Sequence, residues 1–258
     1  PVLREKYQAQ MQEHPLRSEI IATKLTNEMV NDMGLNFVYR LQEETGALVE
    51  QVADAYTVVK GVLDVSSLWE SVEGLDNKID AQLQLKILDN MRRILRRTCR
   101  WYIRHGGKTE SIEQAISRYK PAFKAVSENL GSYLVTAEVE EVQAETKRLI
   151  EAKVPKDVAY RVAGLSNMFS SMDLAQIAEL EKRPVEVVAR LYYQLGSRFE
   201  LHWFLEQINQ QTVSNHWQAL ARASYREELD WQQRILTSVL LNIEPEENDA
   251  DKILNDWC

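Results

Sequence analysis

The sequence predicts an all-α protein, an irregular multi-helix bundle, and three observations carry that prediction. Only 9 glycines and 6 prolines punctuate the 258 residues. Between them run long segments whose apolar residues recur at helical spacing, leaving one face to bury. Strict alternation, the mark of a half-buried strand, is nearly absent. Segments 35–41 and 58–65 come nearest to it, and helix remains the favoured reading for both.

Each element follows from its punctuation. Pro15 suits the first turn of a helix running to Asn31, because the N–H it lacks has no partner there. Gly34 then stops the chain in the left-handed conformation. A second helix is expected over 36–45, with Gly46 at its end, and a third carries Val49, Val52, Ala53, Tyr56 and Val59 on one stripe. After Gly61, Asp64 or Ser66 caps a short helix with Leu68, Trp69 and Val72, ended by Gly74.

The next helix is expected to start near 76–77 and stop at Gly106-Gly107. Its second half, MRRILRRTCRWYIRHGG over 91–107, places Met91, Ile94, Leu95, Thr98, Trp101 and Tyr102 on one side. Arg92, Arg93, Arg96, Arg97, Arg100 and Arg104 fall on the other, read as a solvated outer face. Ser111 and Gln114 form a capping box for the following helix, which Pro121 should kink or divide.

Segment 133–153 is acidic on one face (Glu138, Glu141, Glu145) and apolar on the other (Val135, Val139, Val142, Leu149). That acidic face is the expected partner of the arginines, should the helices be neighbours. Pro155 and Asp157 mark another start. Pro184 opens a helix to Leu195, and Gly196 separates it from 199–210. Ser214 or Asn215 caps a long last helix to Leu241, with Trp217, Leu220, Ala221, Leu229, Ile235 and Val239 turned inward. The helical domain is thus 1–241, with a weak internal boundary near 106–109 and an acidic, mobile tail over 242–258. Leu254 and Trp257 are the tail residues able to dock back.

Composition narrows the function classes. Against 31 basic side chains stand 39 acidic ones, a net charge of −8, so the long-range field repels nucleic acid even though the arginine face is locally basic. The two cysteines, Cys99 and Cys258, make no disulfide framework, and a reducing, cytoplasmic compartment is expected. No apolar run approaches the roughly 18 residues of a membrane span. Position 1 is not Met, as expected of a processed chain or a piece of a longer one.

Catalytic signatures are missing. Neither glycine fingerprint for a dinucleotide or triphosphate occurs, so no cofactor site is expected in this chain. His14, His105, His202 and His216 lack metal-ligand spacing. Gly164-Leu165-Ser166 opens like a nucleophile elbow, but Met168 replaces its second glycine. His202 and Glu206 are four apart on one helix, where a surface salt link is the ordinary reading and acid–base catalysis the rarer one. Asn27 and Asn31 share a face, for binding or for an inter-helix hydrogen bond. The tryptophans at 69, 101, 203, 217 and 231 read as core or interface anchors.

Several segments together resemble one family. HPLRSEIIATKLTNEMVNDMG (14–34), FVYRLQEETGA (37–47), RRILRRTCRWYIRH (92–105), VPKDVAYRVAGL (154–165) and WQALARASYREELDWQQRILTSVL (217–240) are similar, in family order, to the region after the catalytic domain of large bacterial NAD-specific glutamate dehydrogenases. The resemblance implies the C-terminal helical region of an enzyme that converts L-glutamate, NAD and water to 2-oxoglutarate, ammonia and NADH. It also implies that the catalytic lysine and the NAD site lie upstream, so no catalytic, cofactor or metal residue carries over.

The expected role is assembly, core packing or regulation, with the upstream catalytic domain and further subunits of a homo-oligomer as partners. Asn27, Asn31, Arg93, Arg97, Arg100 and Arg104 are the candidate contacts. An independent helical adaptor is the alternative, and an RNA-binding module a third reading.

Overall fold

The computed structural model describes residues 13–106, 110–243 and 246–257. Its regular structure there is helical throughout, 13 α-helices and one 3-10 turn, so the all-α expectation holds and both strand candidates lie in or beside helices.

Helix α1 (Arg17–Met33) buries one side chain, Met29. Gly34 ends it at φ 83 but with ψ 165, so the φ is positive while the conformation is not left-handed helical. The left-handed cap falls one helix later. Helix α2 (Phe37–Thr45) ends at Gly46 (φ 71, ψ 11), whose N–H donates to the Gln42 carbonyl. Helices α3 (Val49–Val62) and α4 (Val65–Glu73) follow.

The arginine-rich helix α5 (Ala81–His105) begins later than its residues predict. Leu75 accepts N–H bonds from Lys78 and Ile79 (2.9 and 3.3 Å), Asn77 turns at φ 59, and Asp80 becomes the cap by accepting from the Leu83 N–H (3.0 Å). Helix α6 (Ile112–Tyr133) starts at the expected Ser111/Gln114 box. It runs straight through Pro121; the departure from helical dihedrals is at Asn129 (φ −126, ψ 19).

Helices α7 (Thr136–Glu151) and α8 (Lys156–Gly164) form an adjacent pair, and a 3-10 turn (Asn167–Ser170) leads into α9 (Ser171–Glu181). Helix α10 (Val185–Arg198) contains Gly196 rather than ending at it. A Cβ there would sit 2.6 Å from Gln233 Nε2, so the glycine permits close approach to the last long helix. The break comes at Glu200, φ 52, before α11 (Leu201–Gln210). Helices α12 (His216–Ile243) and α13 (Ala250–Trp257) complete the chain.

Two apolar cores result. The first gathers α2–α5 with Ala115, Tyr119, Leu149 and α8; the second gathers Val126, Leu130, α10 and the ends of α12 and α13. Helix α6 contributes to both, and Phe123 packs against both. The expected boundary near 106–109 falls mainly on residues outside those described. On either side of it, Trp101 and Tyr102 share a core with Ala115 and Tyr119.

The second half of the acidic tail docks, as expected of Leu254. Ala250, Ile253 and Leu254 are buried in the second core, and Lys252 pairs with Glu247 (2.5 Å). The inward face expected of α12 is also corrected. Trp217 is 77% exposed, Ala221, Ile235 and Val239 are exposed, Leu220 and Leu229 half-buried, and only Thr237, Leu240 and Leu241 are buried.

Candidate functional site: an arginine seam beside two uncovered apolar faces

The apolar stripe of α5 is buried as its spacing requires. Its opposite face is only partly solvated: Arg93 and Arg104 are exposed, and the others are partly covered. Arg100 Nη1 lies 2.9 Å from Glu44 Oε2 on α2, and Arg100 Nε 2.5 Å from Glu227 Oε1 on α12. Arg97 pairs with Asp230, and its guanidinium lies 3.8 Å from the centre of the Phe169 ring. Arg104 pairs with Glu227 and donates to the Glu44 carbonyl (2.8 Å). The side chains of Arg97 and Arg100 are 14% exposed. The partners are therefore α2 and α12, not the acidic face of α7. Arg97 and Arg100 are removed as surface contacts and Arg104 is engaged within the chain. Arg93 is exposed and donates to Asn90 Oδ1 (2.7 Å).

Behind the seam lies a group that sequence reasoning missed. Asp173 is 2% exposed, and its Oδ1 accepts from Trp101 Nε1 (2.9 Å) and faces Arg234 Nη1 (3.5 Å). Burial pushes its carboxyl up to about 7, and Asp230 adds to the rise, against the lowering pull of Arg234, Trp101 and Arg97. The signal was an aspartate inside SSMDLAQIAEL, flanked by core residues on a short apolar helix. His105 stacks on Trp231 (centroids 5.6 Å, 17° between planes). Burial, Arg234 and Arg104 hold its imidazole below the usual histidine range.

A cavity of about 360 Å³ opens between α7, α10, α11 and α12, lined by Glu138, Glu141, Phe169, Tyr192, Tyr193 and His202 among others. His202 Nε2 is 3.7 Å from Glu141 Oε2, whereas Glu206 accepts from Gln210 (3.1 Å), so the His202/Glu206 pair does not form. Ser166 precedes a 3-10 turn rather than following a strand, which removes the elbow geometry. Cys99 is fully buried, and burial pushes its thiol up and makes it inert. Among the described residues, no three His, Cys, Asp or Glu converge as metal ligands.

Two apolar faces are left exposed among the described residues. At α1, Leu16 and Ile20 line a shallow groove with Asn27 and Asn31, both exposed and, among the described residues, without a hydrogen bond from their amides. Ile21 and Val30 are exposed on the same helix. Around α11 and α12, Trp203, Phe204, Trp217, Tyr225 and Val239 are exposed, and α11 buries nothing. No described helix is long and apolar enough to cross a membrane.

Residues 1–258 match the family model described as glutamate dehydrogenase, C-terminal. The chain is 33% identical over 256 residues to an NAD-specific glutamate dehydrogenase of Halomonas elongata, covering 99% of this chain and 16% of that protein. It is 32% identical to one of Pseudomonas aeruginosa over the same shares, and 25% identical to one of Mycobacterium tuberculosis, covering 97% of this chain and 15% of that protein. The chain thus spans about 16% of the length of the first two relatives.

Proposed function

The chain belongs to the glutamate dehydrogenase C-terminal family, and on that premise we propose that it is a non-catalytic docking and assembly region of a cytoplasmic NAD-specific glutamate dehydrogenase. The parent reaction takes L-glutamate, NAD and water to 2-oxoglutarate, ammonia and NADH. In this reading the NAD site and the catalytic groups lie in an upstream domain of the same polypeptide, against which this region packs, and the enzyme is a homo-oligomer.

The observation that carries the reading is the pair of uncovered apolar faces, on α1 and on α11–α12. Isolated exposed apolar residues need no explanation, but tryptophans and isoleucines grouped along α1, α11 and α12 mark surfaces made to be covered. Asn27 and Asn31, exposed in the first face, offer amide donors and acceptors that no described residue engages, as suits an interface rim. Arg93 and Arg104 are the candidate arginines that stay exposed.

The test is Ile20→Glu and Trp217→Glu, made separately in the full-length enzyme. Both sites are exposed, so the fold of this region should survive. Light scattering should report lost subunits or an expanded particle, and glutamate-dependent NADH formation should fall with it. Unchanged particle size and activity in both variants would remove the proposal.

A further inference from the structure

The cavity of about 360 Å³ between α7, α10, α11 and α12 has a lining whose charges do not balance. Arg97 is its only lysine or arginine among the described residues, and Asp230, also in the lining, already pairs with it. Glu145 is closed off by Arg148, which donates to both carboxylate oxygens (2.7 Å each). Glu138 and Glu141 remain, three apart on one face of α7. Glu141 has His202 Nε2 at 3.7 Å. Glu138 is half-buried and forms no ion pair among the described residues; its Oε2 accepts from the Val135 N–H at 3.4 Å.

A second observation comes from α10. Tyr192 is 4% exposed, and its hydroxyl makes no hydrogen bond among the described residues. That hydroxyl is not sealed in, and the cavity is the open space that Tyr192 lines. The next residue differs. The Tyr193 hydroxyl is shared with Ser170 Oγ and donates to the Asn167 carbonyl (2.7 Å each). Buried polar groups ordinarily have partners, so a buried hydroxyl open to a cavity marks a place for one.

The two features lie at different ends. Successive residues of a helix point about 100° apart. The charges acting on Tyr192 are those of Asp173, Asp230 and Arg97, whereas Glu138 acts on Tyr193. An anion would meet Glu138 and Glu141 as like charges, and a bare cation would leave most of the volume empty. Between the ends, the rings of Phe169, Tyr192 and Tyr193 offer apolar surface to methylene groups.

We propose that this cavity binds a small aliphatic amino alcohol, its ammonium group held by Glu138 and Glu141 and its far hydroxyl by the Tyr192 hydroxyl. An ammonium carries three donors and suits two carboxylates on one helix face. The inference stands independently of the docking role.

Isothermal titration of the whole chain at low salt tests it, with ω-amino alcohols from 3-aminopropan-1-ol to 6-aminohexan-1-ol as probes. Saturable binding is expected, weakened roughly tenfold by Glu138→Gln, which keeps the capping oxygen, or by Glu141→Gln, at an exposed position. Glu70→Gln, on the exposed face of α4, should leave it unchanged. The alkylamine of equal length, lacking the hydroxyl, should bind the parent chain severalfold more weakly. In Tyr192→Phe that advantage of the alcohol should vanish while the urea midpoint stays in place, because the hydroxyl removed has no partner in the fold. No saturable binding of any amino alcohol, equal losses in Glu141→Gln and Glu70→Gln, or the same advantage of the alcohol in Tyr192→Phe as in the parent would overturn the inference.

Discussion

Asp173 is the one charged side chain buried among the described residues, and its chemistry has a pH signature. Its carboxyl rises from an ordinary 3.8 to about 7. A raised pKa means that the folded state holds the proton more tightly. The associated stability is full below about pH 4 and is lost as pH climbs through about 7. Asp173→Asn keeps an acceptor for Trp101 and cannot titrate. Urea unfolding at about pH 5 and about pH 8 should therefore show a smaller drop in the variant than in the parent chain. Equal drops would mean that Arg234 keeps Asp173 ionised throughout. At the seam, Arg97→Ala or Asp230→Ala leaves a half-buried charge unpaired and should cost about 1–3 kcal/mol. A double-mutant cycle should return a coupling of at least about 0.5 kcal/mol, and a value near zero would reduce the pair to surface decoration. None of this was legible from residue spacing, which gives the face of a helix but not what lies opposite. The family, by contrast, was legible from ordered segments such as RRILRRTCRWYIRH.

At the scale of elements, helix type and order follow the periodicity, while ends follow local competition. The Ser111/Gln114 box starts α6 because side chain and backbone satisfy each other within one turn. Gly196 misled because glycine also serves close packing, here against Gln233. Pro121 misled because a helix held by Tyr119, Ala122 and Val126 in the core tolerates one missing hydrogen bond. In the acidic tail, Leu254 docks as its sequence allows, and Ala250 and Ile253 join it because their spacing makes one apolar stripe. Leu254→Ala should cost about 2–4 kcal/mol, read as a shift in urea midpoint. A change below about 0.5 kcal/mol would mean that α13 does not support the second core.

Among the described residues of the molecule, two apolar cores are buried while several large apolar side chains stay exposed. Trp217, at 77% exposure, fits no core role, and the expectation that it turns inward failed because an apolar stripe records what a helix must bury, not whether this chain supplies the cover. The chain by itself should therefore associate as its concentration rises, and Trp217→Ser with Ile20→Ser should shift sedimentation toward the monomer. Identical sedimentation of the parent and the double variant would place the self-contact elsewhere. The second consequence of the architecture is a gradient in time. Helix α6 anchors two cores, so its amides from Tyr119 to Leu130 are protected until the entire fold opens. In α12 no side chain before Thr237 is buried, so its first five turns open locally and trade their hydrogens with solvent far sooner. Deuterium uptake would thus draw the outline of the proposed cover: amides that slow down only in the proposed longer enzyme would be those that another surface comes to lie upon.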